Sequence, residues 1–411
     1  MSASPTDDPV PDLADPAVQA RLYRAAEELI DAGPDAIDTA GSPANSLETR
    51  LAAKLAASRS AMSTIGTPLH IGVVFAMWGE HNRLRPRSAD NPTGEDALRF
   101  KLDQLAWATR GTPVSWRLYA IDDGDPNDSG ALAAEIAAEH PLGDHVTVGW
   151  LARALPASSG PLARLADADD SRKGGAVIHG CMLALDDGAD AVVYTDADNS
   201  VHLGQLGLLL APMVHERRRV VLGNRKHPDA VLVKEEARWG IGIALLRHMQ
   251  RMIGQAIFSQ GIRDTQAAFK LYERSLLEQI IADPTVYDFS FDTDWILAAI
   301  ARDEPLATVP FAFIDSAAES ASIAQGPMTT WETLLLGLRD AVRKHGVAHD
   351  VDMAKVLDEE IADSRDLDLL IDHLPPELDG VDDGGLGDPA VMSPAQVQAW
   401  IRHRKSVAAA G

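Results

Sequence analysis

The sequence holds a single cysteine, Cys181, in 411 residues. One thiol forms no intrachain disulfide and cannot build a thiolate zinc site, and usage this low suits a reducing compartment. Cys181 lies in an apolar helical stretch and reads as packing. Basic residues are also few: 37 Lys and Arg stand against 61 Asp and Glu, a formal net charge of −24. Such a field repels polyanions, so nucleic acid is not an expected partner. No apolar run reaches the roughly 18 residues that a membrane span needs. The first stretch, MSASPTDDPVPDLADP, has neither the basic nor the apolar segment of a secretory signal. The expectation is a cytoplasmic protein with no membrane span.

Several motifs are missing too. Neither the P-loop pattern nor G-x-G-x-x-G occurs, and the glycines of KGGAVIHG (173–180) are wrongly spaced for the latter. Nucleoside triphosphate hydrolysis and dinucleotide binding therefore lose support. No serine-centred nucleophile elbow is present. DDGDPNDSG has acids spaced like a calcium loop, but counting from Asp123 the sixth position is Asp128 where glycine is required, and the twelfth is Ala134 where glutamate is required.

What is present is ordinary for a globular protein, 46% apolar and 24% charged, and long enough for one catalytic domain with appendages. Residues 1–14 are rich in Pro and Asp and read as a disordered tail. Two helices should follow within 15–65, one opening at Asp15-Pro16 and closing near Gly33, the other from about Ser46 to Met62. These form a helical N-terminal accessory segment. From Leu69 the pattern changes: HIGVVFAM, WRLYAID, HVTVGWL, AVVYTDAD, RVVLGN and ATVPFAFI read as strands. Residues 95–109, 129–140, 173–186, 203–216, 236–258 and 293–302 read as helices between them. Such alternation predicts an α/β domain over 66–345, with a mostly parallel sheet covered on both faces. An acidic helical C-terminal appendage follows at 346–411. Trp331, Leu334, Leu335, Leu338 and Val342 form one apolar stripe, read as packing on its own domain in preference to peripheral contact with a bilayer.

In a parallel sheet, ligands bind beyond the carboxyl ends of the strands. Three strands here end in acid: at Glu80, at Asp122, Asp123 and Asp125, and at Asp196 and Asp198. Converging carboxylates need a counter-charge, and a divalent cation with oxygen ligands supplies it, magnesium typically using one or two carboxylates plus substrate phosphates. Strand alternation puts Asp196 and Asp198 on one face, with Ala197 opposite. The competing reading is a turn or helix cap, which is the commoner fate of an isolated Asp-x-Asp.

The order of IDDGD (121–125), KGGAVIHG (173–180), YTDADNS (194–200), GNR (223–225), GIRDTQAAFKLY (261–272) and FSFDTDWI (289–296) resembles the family-2 glycosyltransferases of the GT-A fold. Among them the dolichyl- and polyprenyl-phosphate glucosyl- and mannosyltransferases are the most similar. The resemblance spans about residues 69–345 and implies a GT-A, Rossmann-like domain. It implies donor and nucleotide binding by Ala76, Glu80, Asp122, Asp123, Lys173, Asp196, Ala197 and Asp198, with Mg2+ or Mn2+ on Asp196 and Asp198. It also implies acceptor binding by Arg225, Arg238 and Lys270, and catalytic roles for Asp264 and Asp292. The implied reaction is inverting transfer of a sugar, glucose or mannose, from UDP-glucose or GDP-mannose to a polyprenyl phosphate or a soluble hydroxyl acceptor. Asp292 reads equally well as a cap of its helix, Lys173 and Lys270 as solvated surface lysines, and Arg263 as a structural ion-pair partner.

The family's Pro-Ala-Tyr-Asn-Glu is replaced by Phe75-Ala76-Met77-Trp78-Gly79-Glu80, followed by an insertion-like RPRSADNPTG. Asp125 stands for a usual serine, and the glycine of Cys-Gly-Phe-Lys is lost at Ala268. Two other readings stand beside transfer: a nucleotide-sugar-binding protein without turnover, and a phosphatase of the haloacid-dehalogenase type.

Overall fold

The runs rich in Val, Ile and aromatic residues become a seven-stranded sheet. Its strands are β1 (Leu69–Met77), β2 (Val114–Asp122), β3 (Val146–Trp150), β4 (Ala191–Thr195), β5 (Val220–Asn224), β7 (Phe269–Glu273) and β8 (Leu306–Pro310), in the order β3-β2-β1-β4-β7-β5-β8. All neighbours are parallel except at β7, which runs antiparallel to both β4 and β5. Two further strands, β6 (Val231–Val233) and β9 (Ala312–Ile314), make a small parallel sheet. The computed structural model describes residues 9–234, 240–315 and 327–410; the first eight residues of the expected tail and Arg238 lie outside the described residues. Described residues group into two units, one of 9–234, 266–285 and 305–315, the other of 240–265, 286–304 and 327–410.

In the first unit the sheet carries helices on both faces, as its alternation predicts. Val73, Phe75 and Met77 of β1 enter a core with Leu98, Leu102 and Leu105 of helix α5 (Ala97–Thr109) and with Leu206, Leu209 and Leu210 of α9 (Leu206–Glu216). The intervening residues of β1 face the other way onto α8 (Gly174–Asp186). A Cβ on Gly72 would sit 2.6 Å from Ala184 Cβ, and one on Gly180 2.5 Å from Val74. Glycine on both sides of this contact lets helix and sheet close to within backbone distance.

The N-terminal helices form where their caps dictate. Asp15 accepts from Ala17 N at 2.8 Å, Pro16 opens α1 (Pro16–Ala32), and Gly33 at φ +97° ends it. Ser46 caps α3 (Leu47–Ser63) through Thr49 N. Leu22, Ala26, Leu51, Leu55 and Ala56 share a core with Trp107 and Ala108 of α5 and with Val231, Ala312 and Ile314 of the small sheet. Ser58 Oγ donates to Gly204 O (2.7 Å) and accepts from Gly207 N (2.9 Å), tying α3 to the start of α9.

The second unit is helical. In the helix Pro327–His345, Trp331, Leu334, Leu335, Leu338 and Val342 are all buried, so the stripe packs within its own unit as expected. Gly337 of this helix admits the Ser290 side chain, whose Oγ would lie 2.1 Å from an added Cβ. Among the described residues no helix is long and apolar enough to cross a membrane.

Candidate active site

Strands β2, β1 and β4 are adjacent and parallel, so their carboxyl ends and the acids that follow emerge along one edge of the first unit. The three acids after β2 have different partners. Asp122 accepts from Gly124 N (3.0 Å) and Asp125 N (2.9 Å) on one oxygen and from Gly130 N (2.8 Å) on the other. Asp125 accepts from Asn127 N (2.9 Å) and from the Ser129 hydroxyl. These two carboxylates fold the 122–130 loop, the bland role that an Asp-rich turn suggests. Asp123 instead accepts from Lys173 N at 2.7 Å, and burial pushes its carboxyl up to about 6.

Lys173 links two strand ends. It precedes α8 at φ +82°, a conformation that costs a non-glycine residue of order 1–3 kcal/mol. Two attachments hold it there: its backbone amide on Asp123, and its ammonium in an ion pair with Asp196. The surface-lysine reading is thus replaced by a bridge between β2 and β4.

Asp196 and Asp198 follow β4, and both are half-buried. Burial alone would raise Asp196, but Lys173, with Arg225 and Lys101 adding to it, holds its carboxyl below the usual range. Asp198 moves the opposite way, raised by burial and then by the charge on Asp196, with Arg83 and Lys101 opposing. The Asp198 side chain accepts from Ser200 N at 3.0 Å. Around the same turn Thr195 Oγ1, Asn199 Oδ1 and Ser200 Oγ are buried without a hydrogen-bond partner. Two mutually repelling carboxylates suit a hydrated hard cation. Among the described residues no three His, Cys, Asp or Glu side chains converge as a ready-made metal cage.

Glu80 begins beyond β1 and is buried against Arg83, whose Nη1 lies 3.1 Å from one of its oxygens. Arg83 also reaches Glu95 at 3.3 Å. Burial pushes Glu80 up to about 7, with Arg83 opposing and Asp198 and Glu95 adding to the rise. A carboxyl whose folded pKa exceeds its unfolded value favours folding in its protonated form, and that advantage is lost as pH climbs from 4.5 to about 7. At 1.36 kcal/mol per unit the parent should lose on the order of 3 kcal/mol across this window from Glu80. Urea titrations at pH 5 and 8 should show Glu80→Gln with a flatter profile and higher stability than the parent at pH 8; identical profiles would refute this account.

Arg83, Glu95 and Lys101 did not emerge from the motifs. One signal was available: Ala97, Lys101, Gln104 and Ala108 lie at helical spacing, and all four are buried. Two polar residues on such a stripe demand partners in the core.

The remaining candidates divide between the units. Ala76 is half-buried near the end of β1, and Ala197 is buried between the two aspartates. Arg225 follows β5, stacks its guanidinium 5.0 Å from the Phe313 ring, and is close enough to lower Asp196. Lys270 is fully buried within β7, donating to Ala267 O at 2.5 Å with its ammonium 5.3 Å from the Tyr194 ring centroid; the surface-lysine reading is excluded for it as well. Asp264 and Asp292 belong to the second unit, and both are buried there. Asp292 lies in the first turn of the helix Phe291–Ile300, while the N-cap position is Ser290. Arg263 donates to Phe258 O at 2.5 Å.

Residues 95–281 match the model of glycosyl transferase family 2. That family 2 match covers 187 of the 411 residues. The matched span includes Asp122, Asp123, Lys173, Asp196, Asp198, Arg225, Asp264 and Lys270, and leaves Glu80 and Asp292 outside it. Two curated relatives are similar over about half of this chain. A dolichyl-phosphate beta-glucosyltransferase of Trichomonas vaginalis is 21% identical over 49% of the chain and 54% of its own length. A polyprenol monophosphomannose synthase of Mycolicibacterium smegmatis is 26% identical over 48% of the chain and 66% of its own length. The chain therefore spans between about half and two thirds of those relatives. Among solved structures, glucosyl-3-phosphoglycerate synthase of Mycobacterium tuberculosis with Mn2+ and UDP superposes with a TM-score of 0.46 at 15% identity, covering 72% of this chain and 85% of that one. Mannosyl-3-phosphoglycerate synthase of Rubrobacter xylanophilus gives 0.47 at 14%, covering 72% and 80%. Asp196 and Asp198 follow the fourth strand in chain order, whereas the phosphatase reading needs such a pair after the first.

Proposed function

We propose that the chain is a metal-dependent hexosyltransferase that moves glucose or mannose, with inversion, from a nucleotide-diphosphate donor to a polyprenyl phosphate or a soluble hydroxyl. One observation carries this reading: two half-buried carboxylates at the end of β4, one paired with Lys173, their pKa values moved in opposite directions by burial and by the charges around them. The names of the two curated relatives support a phosphorylated lipid as acceptor. Asp196 and Asp198 would hold Mg2+ or Mn2+, and Glu80, Asp123 and Lys173 would line the nucleotide side. When bound, the ion offsets the negative charge that develops on the leaving diphosphate. Lys173 is placed to exchange its Asp196 partner for a phosphate oxygen. Arg225, whose charge helps to lower Asp196, would offer a second cation from the β5 side, where a phosphate acceptor would need one.

A donor that binds only the folded protein raises its melting temperature by mass action, about 2.7 kcal/mol at a hundredfold excess over Kd. UDP-glucose or GDP-mannose with Mn2+ is expected to raise the melting temperature, and the same sugar with EDTA should not. A panel in which no nucleotide sugar shifts the transition with either metal would remove the reading, and a shift without turnover would favour the binding-protein alternative.

A further inference from the structure

The peptide between Asp198 and Asn199 is gripped at both ends by buried charges. Lys101 Nζ donates to Asp198 O at 2.6 Å, and Asn199 N donates to Glu95 Oε2 at 2.9 Å. The carbonyl and the amide belong to one rigid plane, so the two contacts fix its orientation as well as its position. Asn199 Nδ2 adds a bond to the Glu95 carbonyl oxygen at 2.8 Å. Both side chains arise from α5 and the residues just before it, and Lys101 is wholly buried.

The same helix shows that charge is not needed merely to satisfy backbone groups there. Gln104, one turn further on, accepts from Leu203 N at 2.8 Å as a neutral amide. A buried charge costs far more to bury than an amide, and its return is a shorter, more directional bond. The charged pair sits at the peptide that leaves Asp198, the neutral one beyond it. Glu95 is itself fixed: its amide donates to Arg83 O at 3.2 Å, its other carboxylate oxygen meets Arg83 at 3.3 Å, and Gly94 lies so close to Pro86 that a Cβ would be 2.5 Å from that residue's carbonyl group. The insertion-like loop after Arg83 thus closes on a glycine and delivers Glu95 to the Asp198 turn.

We propose that Glu95 and Lys101 are positioning residues that clamp the Asp198–Asn199 peptide and thereby aim the Asp196 and Asp198 carboxylates at a divalent cation. This rests on the metal-dependent reading above. The test titrates Mn2+ into full-length protein with saturating UDP or GDP, reading free Mn2+ by electron paramagnetic resonance, with melting temperatures confirming folded variants. Glu95→Ala and Lys101→Met are expected to weaken Mn2+ binding at least tenfold. Glu95→Gln, which keeps an acceptor for Asn199 N but loses the charge, is expected to fall between the parent and Glu95→Ala. Should alanine at 95 prevent folding, Glu95→Asp, one methylene too short for the same reach, takes its place. Either weakened variant binding within threefold of the parent, or Glu95→Gln falling as far as Glu95→Ala, overturns the clamp while leaving the transferase reading intact. No Mn2+ binding by the parent with either nucleotide overturns both.

Discussion

Alanine at Asp196 or Asp198 is expected to lower kcat/KM for sugar transfer by about three orders of magnitude, roughly 4 kcal/mol of transition-state stabilisation, the size of effect attached to a catalytic metal. The two substitutions should differ in their other consequences. Asp196 is the ion-pair partner of Lys173, so its removal takes away a carboxylate that competes with phosphate for that lysine. Metal-free donor binding, absent in the parent, should therefore become detectable in Asp196→Ala. Asp198 is already raised by burial and by its neighbour's charge, so removing its carboxylate relieves repulsion, and Asp198→Ala should melt no lower than the parent. Its backbone carbonyl remains held by Lys101 in either case. Initial rates at saturating Mn2+ provide the check. Transfer within tenfold of the parent by both variants would mean that the carboxylates hold no ion needed for chemistry.

Much of this edge was legible because parallel strands announce themselves as short apolar runs, and the residue after each run must lie where ligands bind. Asp123, Asp196 and Asp198 were placed at this edge that way. The same logic over-reached at Asp122 and Asp125, whose carboxylates are taken up by the amides and hydroxyl of their own loop. Strand β7 escaped the pattern because Lys270 breaks its apolar run. A lysine there reads as solvent-facing until the register shows it paired between Tyr194 and Leu222. Strand β6 is too short to carry a period at all. Caps, by contrast, placed α1 and α3 almost to the residue, since Asp15, Gly33 and Ser46 act through their immediate neighbours. The partner of Glu95 and Lys101 lay beyond reach because it is a peptide about a hundred residues away, and only the fold brings such pairs together.

Replacing Asp264 by Asn is expected to separate the two acceptor classes. Asp264 is buried in the second unit, and asparagine keeps its shape while removing its capacity to take a proton. A sugar hydroxyl or other alcohol attacks only as it loses its proton, and a positioned base contributes roughly two to four orders of magnitude. A phosphate monoester, with a second pKa of about 6, is already largely ionised at pH 7 and needs cations more than a base. If Asp264 is that base, as the family resemblance implies, Asp264→Asn should lose nearly all turnover with soluble hydroxyl acceptors at unchanged donor KM. With a polyprenyl phosphate it should retain most of its rate, while Arg225→Ala, which removes a guanidinium already close enough to lower Asp196, should cost more. Steady-state rates of the two variants with both acceptors decide the matter. If Asp264→Asn retains full activity on a hydroxyl acceptor that the parent uses, the base is another residue. If it fails equally on both acceptors, Asp264 acts in binding the sugar itself.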